Sequence, residues 1–323
     1  MAPYRGFGLT IPLDRAPLHL QRDDLASLAD LGYTDVWSAE TDGVDAFTPL
    51  ALASQWAPTL RLGTAIVPVF TRGPAVIAQS ALGMAQAAPG RFVLGIGSSS
   101  DVIVGRWNGI DFDEPYARVR DTLRFLRAAL TGEKVTETYD SFSIKGFRLS
   151  APPERPVPVL VAALRRGMLD LAGREGDGAI INWLSADDVA TVAPIVRAHG
   201  DDKEIVARIF VVPSDDTDTV RAQARFAIAQ YLNVPVYRAF HEWLGRGELL
   251  GEMWQRWTDG DRAGATASIP DEVVDALIVH GTPEQCRAKV QRYVDNGVST
   301  PVLAVLGLAG VDTRAAVREL APN

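Results

Sequence analysis

The 323-residue chain is 47% hydrophobic and 22% charged, the balance of an ordinary soluble globular protein, and no apolar run approaches the ~18 residues that would span a bilayer. A formal charge of −8 with a pI near 5.1 offers no basic face to nucleic acid, so a small molecule is the expected partner. The single cysteine, Cys286, excludes an intrachain disulfide, and His19, His199, His241 and His280 stand too far apart, with no i, i+4 pair, to indicate a metal site.

Apolar runs and amphipathic stretches alternate along the chain. Residues 4–11 read as a first strand, 19–31 as an amphipathic helix ended by Gly32, and 34–38 as a second strand. The lead-in has neither the charged start nor the apolar middle and small-residue cleavage site of a signal peptide, and the expected compartment is the cytoplasm. A helix over 48–57, a third strand over 62–67 and a helix over 74–88 follow, with Pro74 well placed in a first turn. The fourth strand covers 92–96. After it come a loop and a helix over 114–130, whose Arg118, Arg120, Arg124 and Arg127 read as a solvated face, then a small hairpin over 135–144 outside the repeat. Strands five to seven fall at 157–161, 178–181 and 205–212, separated by helices at 166–174 and 186–198, and the last strand at 302–306. Cys286 sits in a helical stretch over 283–295 and reads as a packed thiol.

Eight strand candidates with short connections argue an α/β fold closed as a (β/α)8 TIM barrel rather than an open doubly wound sheet, with residues 1–323 forming one domain. The exception is 213–280. It holds one regular helix, 218–232, then a region with Trp243, Trp254 and Trp257, and reads as a helical insertion between strands seven and eight that caps the barrel mouth.

Ligands of α/β proteins sit at the C-terminal ends of the strands, and there this chain places small and polar residues. Gly95-Ile-Gly97 begins like a dinucleotide fingerprint, but Ser100 stands where the third glycine belongs and the run lies on the fourth strand, which argues against a nicotinamide site. Ser98, Ser99 and Ser100 can hydrogen-bond to a polar ring or a phosphate. Glu40, after strand two, is placed for proton transfer, whereas Asp42 and Asp45 read as solvated. Asn182 and Trp183 end strand six, where an amide can meet a ring edge and an indole can wall a pocket. Arg165 and Arg166, past strand five, suit an acidic tail or a phosphate.

The segments GTAIVPVFTRGPAVIAQSA and GRFVLGIGSSS, with LAGREGDGAIIN over 171–182, make the chain resemble the luciferase-like superfamily over nearly its whole length. The likeness is to its F420-dependent oxidoreductase branch, which includes methylenetetrahydromethanopterin reductases and F420-dependent dehydrogenases. The resemblance implies a luciferase-like TIM barrel, usually a homodimer, with the deazaflavin coenzyme F420 at the mouth; FMN is the alternative cofactor. It implies a bulged third strand with a non-prolyl cis peptide, here between Ala65 and Ile66, behind the ring. It assigns Glu40 as the acidic residue after strand two, Ser98, Ser99 and Ser100 to the polar loop at the cofactor, and Ala163, Leu164 and Arg165 to its phosphate; Thr41, beside Glu40, and Asn182 are expected at the cofactor as well. Many relatives carry histidine where this chain has Thr41, and the sugar-phosphate dehydrogenases carry a catalytic glutamate where it has Ser100, which disfavours a sugar-phosphate substrate. The expected activity is hydride transfer between F420 and a small organic molecule, with Glu40 polarising the ring or relaying a proton, and with Trp107 and Asn108 facing Trp183 across the substrate. An FMN-dependent monooxygenase and a non-catalytic flavin- or deazaflavin-binding protein are the alternatives.

Overall fold

A computed structural model describes residues 6–14 and 16–322. The apolar runs become strands buried on both faces, because helices cover them outside and side chains fill the space inside. They are β1 (Gly8–Thr10), β2 (Asp35–Ser38), β3 (Arg61–Thr64), β4 (Phe92–Gly97), β5 (Val159–Ala162), β6 (Gly178–Asn182), β7 (Glu204–Val212) and β8 (Thr300–Val305). Each pairs in parallel with the next and β8 returns to β1, Gly8 lying opposite Val302, so the eight strands close into the expected barrel. Tyr4 and Arg5 of the expected first strand lie outside the described residues.

The expected bulge with its cis peptide is present on the third strand, and two other regions differ from the sequence reading. The third strand is not continuous: it stops at Thr64, turns through the Ala65–Ile66 peptide, which is cis, and resumes as the short strand Val67–Pro68 against Ile96 and Gly97 of β4. The arginines of helix Pro115–Leu130 are not a bare solvated face: Arg120 pairs with Asp140 at 2.5 Å, Arg124 with Glu175 at 2.7 Å and Arg127 with Asp177 at 3.1 Å, tying the helix to its neighbours. Before the helix Pro283–Asp295 that leads into β8, the segment after β7 holds five helices, Thr217–Leu232, Pro235–Trp243, Gly247–Thr258, Arg262–Ala267 and Asp271–Leu277, and then a short strand, Ile278–His280, beside β7. Their apolar faces, with Ile228, Leu250, Met253, Trp254 and Val274, build a second core on Phe210 and Trp183. No helix among the described residues is long and apolar enough to cross a membrane.

The lumen is filled in layers. At the N-terminal end Arg61, the first residue of β3, pairs with Asp35 and with both oxygens of Glu204 at 2.6 and 2.9 Å, and the Thr300 hydroxyl donates to Glu204 Oε1 at 2.6 Å. Burial pushes the Asp35 carboxyl above its usual range, although the Arg61 guanidinium beside it works the other way. Above this layer Trp37, 1% exposed, occupies the barrel centre among Val93, Leu160, Val206 and Val302. A Cβ on Gly63 would lie 2.2 Å from the indole, so β3 must carry glycine there.

Removing one partner from the buried network leaves the others charged without compensation. Arg61→Met is therefore expected to lower the unfolding free energy by about 3–5 kcal/mol in urea titrations. Arg124→Met, which breaks a half-exposed pair, should lower it by only about 0–1 kcal/mol. Equal losses would show that the lumen network carries no more than a surface pair does.

His241, on Pro235–Trp243, is fully buried, and its imidazole is held down to about 4, first by burial and then by Arg246, with Asp188 pulling the other way. An unfolded chain takes up that proton near the ordinary histidine pKa of ~6.5, so below it the unfolded state binds more protons and stability falls until the pH reaches about 4. His241→Leu should flatten the decline between those limits. Parallel stability curves for the two proteins would show that His241 is not the group responsible.

Candidate functional site

The C-terminal strand ends enclose a cavity of ≈570 Å³. One wall is the interrupted third strand, Ala65 and Ile66. It can approach β4 closely because Gly95 and Gly97 have no side chains: a Cβ on Gly95 would lie 2.0 Å from the Thr64 carbonyl, and one on Gly97 3.2 Å from Ile66. The Thr64 hydroxyl fixes this approach, donating to the Gly95 carbonyl at 2.9 Å and accepting from its amide at 2.7 Å. The glycine pair thus serves contact between strands, not a dinucleotide turn.

Glu40, Thr41, Ala65, Ile66, Ser98, Ser99, Ser100, Ala163, Leu164, Arg165 and Asn182 all line this one cavity. Ser99 holds a left-handed backbone, φ 65°, which for a residue other than glycine costs on the order of 1–3 kcal/mol. The Ser100 hydroxyl accepts from the Ile103 amide at 3.4 Å, opening the helical turn Val102–Trp107. Asn182 is oriented by Tyr237, whose hydroxyl lies 3.3 Å from the amide nitrogen and 3.4 Å from the amide oxygen. Arg165 stands at the start of helix Arg166–Arg174, whose first turn also borders the cavity through Arg166, Gly167 and Met168 and has no side-chain cap. Uncapped first-turn N–H groups and two guanidinium groups give that corner the donors and charge that suit an anion.

Trp107, Asn108 and Trp183 do not line the cavity. Trp107 is 56% exposed at the end of its helical turn, and Asn108 is spent closing that turn, its amide donating to the Ile103 carbonyl at 2.7 Å. Trp183 has φ 53°, which turns the indole away from the mouth, and it stacks between Phe210 and Tyr231 at 4.2 and 4.7 Å in the second core. Trp243, from the insertion, lines the cavity instead.

Arg72 and Arg208 were not anticipated. Arg72, in the same TRGP stretch that marks the third strand, grips both Glu40 oxygens through Nε at 3.0 Å and reaches Oε1 through its terminal nitrogen at 2.8 Å. Glu40 therefore meets the cavity as one half of a fixed ion pair. Asp45 is not simply solvated either. It lies 3.6 Å from Arg72 and caps helix Phe47–Trp56, accepting from the Phe47 and Thr48 amides at 2.8 and 3.1 Å. Burial opposes its charge, but the bonds from Thr48 and Phe47 and the Arg72 guanidinium outweigh that and hold the carboxyl below its usual range. Asp42 is exposed, as expected. The signal for Arg208 was a lone cation inside the run IVARIFVV. Among the described residues no group of three or more His, Cys, Asp or Glu could hold a metal.

The sequence profile of the luciferase-like monooxygenase family matches residues 14–300, and the chain belongs to that family. A 5,10-methylenetetrahydromethanopterin reductase of Methanolobus tindarius is 25% identical over 281 residues, covering 83% of this chain and 84% of that protein. An F420-dependent glucose-6-phosphate dehydrogenase of Kineococcus radiotolerans is 30% identical over 274 residues, covering 79% and 76%. The solved structure of the coenzyme F420 dependent tetrahydromethanopterin reductase from Methanopyrus kandleri has the same fold, with a TM-score of 0.80 at 17% identity over 98% of this chain and 97% of that one.

If Asp45 is a cap and an ion-pair partner, Asp45→Ala should lower stability by about 0.5–2 kcal/mol. Asp42→Ala should stay within about 0.5 kcal/mol of the parent. The reverse order in thermal or urea unfolding would return Asp45 to the solvent.

Proposed function

We propose that this enzyme binds coenzyme F420 at the strand-end cavity and transfers a hydride between the deazaflavin and a small organic substrate. The observation that carries the reading is the joining, in one cavity, of a flat wall of small residues with an anion corner. A planar ring can lie against Ala65 and Ile66, while Ser98 and Asn182 meet its polar edge. The phosphodiester and acidic tail fit the start of helix Arg166–Arg174, with Ala163, Leu164 and Arg165. The Kineococcus relative, aligned over 79% of this chain, is named for F420, which supports the same cofactor here.

When bound, the deazaflavin supplies a hydride donor or acceptor at its ring carbon C5. The chain's residues supply orientation, exclusion of water and control of a proton. Thr41, Ser99 and Ser100 complete the polar rim, and Tyr237 and Trp243 roof the cavity from the insertion. In this reading Glu40 holds or relays the proton, and Arg72 fixes the carboxylate that does so.

Two measurements test the proposal. Fluorescence titration should show F420 binding more tightly than FMN; micromolar FMN binding with no F420 binding would move the reading to a flavin monooxygenase. Glu40→Gln should keep the fold and most F420 affinity while lowering turnover against a panel of alcohols and unsaturated acceptors by roughly 10²-fold or more, the range for a lost general acid or base. Full turnover in that variant would reduce Glu40 to a structural ion-pair partner of Arg72.

A further inference from the structure

Along β7 the lumen-facing residues are Glu204 in the charged layer, Val206 beside Trp37, and Arg208 at the floor of the cavity. Counting round the closed sheet, β7 is four strands from β3, so Arg208 faces the Ala65–Ile66 wall across the mouth. Its guanidinium rests 5.0 Å from the Phe210 ring. Nε has no hydrogen-bond partner, and among the described residues the titratable neighbours acting on Arg208 are Tyr231 and Tyr237, with no carboxylate within ion-pair distance. Burial pulls its basicity below the ordinary arginine range. By contrast, Arg61 has Asp35 and Glu204, and Arg72 has Glu40 and Asp45.

A cation enclosed without a counter-charge is costly, and the guanidinium fork matches a carboxylate through two parallel hydrogen bonds. The apolar part of the lining is Ile103, Met168, Ile180, Val234, Val236 and Trp243, and on the neighbouring strand Arg208 lies opposite the neutral Asn182. A single guanidinium with two phenols suits a monoanion; the stronger anion corner, at Arg165 and the helix start, lies elsewhere on the rim.

We propose that the second occupant of this cavity, the substrate, is an organic acid with an apolar body, whose carboxylate pairs with Arg208 and is flanked by the Tyr231 and Tyr237 hydroxyls. The proposal rests on the F420 reading only in taking the Ala65–Ile66 wall as the face the ring covers. Arg208 is then the specificity-determining residue for the other face.

Calorimetric titration with trans-cinnamate, cinnamamide and phenyl phosphate, on the protein with and without F420, tests it. Cinnamate should bind at least about tenfold more tightly than its neutral amide, as expected for a site whose buried polar group is otherwise left unpaired. Arg208→Gln should bring that ratio to about one, and Arg208→Lys should keep part of it, since a point charge replaces the fork. The comparison of acid with amide on the unaltered protein needs no variant to fold. Equal affinity for acid and amide overturns the proposal, and so does phenyl phosphate binding more tightly than cinnamate. An Arg208→Gln protein that loses F420 affinity by about tenfold but keeps its preference for the acid also overturns it, placing Arg208 against the cofactor. A clear preference for cinnamate in a protein that binds no F420 sinks the cofactor reading alone and leaves the acid site standing.

Discussion

The space inside a closed eight-stranded barrel admits few side chains, and here one indole takes the centre. Trp37 fits only because Gly63 on β3 and Gly8 on β1 carry no Cβ, which would lie 2.2 and 3.0 Å from the ring. Beneath it the Arg61, Asp35 and Glu204 layer seals the N-terminal end. With both levels filled, a ligand has no route into the lumen and must lie on the C-terminal mouth, where the loops can differ without disturbing the packed layers. Strand β3 takes part at each level, supplying Arg61 to the seal, Gly63 to the indole and, just past its end, Ala65 and Ile66 to the cavity wall. A change of register in β3 would therefore disturb the seal and the wall together.

That concentration explains why the barrel and its mouth could be read in the sequence. Buried parallel strands need apolar runs, and a wall open to a flat ligand needs small residues, so residues 62–74 and 92–100 announce both strand and site. The glycines of β4 were legible as a special feature but not in their use, since the Thr64 carbonyl that forbids a side chain at Gly95 belongs to another strand. Trp183 failed for a different reason. One residue beyond the end of β6, a single left-handed φ decides whether the indole enters the cavity or the second core, and composition carries no trace of that angle. The four later helices of the insertion are short and start at Pro235, Gly247, Arg262 and Asp271 without a long apolar period, so pattern alone could not separate them from loops.

The cavity also shows how an acidic protein arranges a basic site. The chain carries a formal charge of −8, yet Arg72, Arg165, Arg166 and Arg208 stand at or beside the mouth. Their surroundings give them different tasks. Arg72 is neutralised by Glu40 and Asp45 and fixes a carboxylate in place, Arg165 and Arg166 add charge to a helix start, and Arg208 alone is enclosed with phenols instead of acids. A local positive field within a negative molecule draws small anions toward the mouth while the rest of the surface repels them.

The insertion turns this arrangement from a shallow dish into an enclosed cavity. Tyr231 ends the first of its helices and Tyr237 lies in the second, and through Asn182 the Tyr237 hydroxyl ties the insertion to β6. Trp183 anchors the other side by stacking on Tyr231 and Phe210, so the tryptophan at the strand end holds the roof in place without touching the ligand space. The roof then does electrostatic work as well as steric work. By limiting the access of water to the floor it raises the cost of leaving Arg208 unpaired, and that cost is what a bound anion lowers. Selectivity for a charged partner and closure of the barrel mouth are in this sense one property of the same few residues.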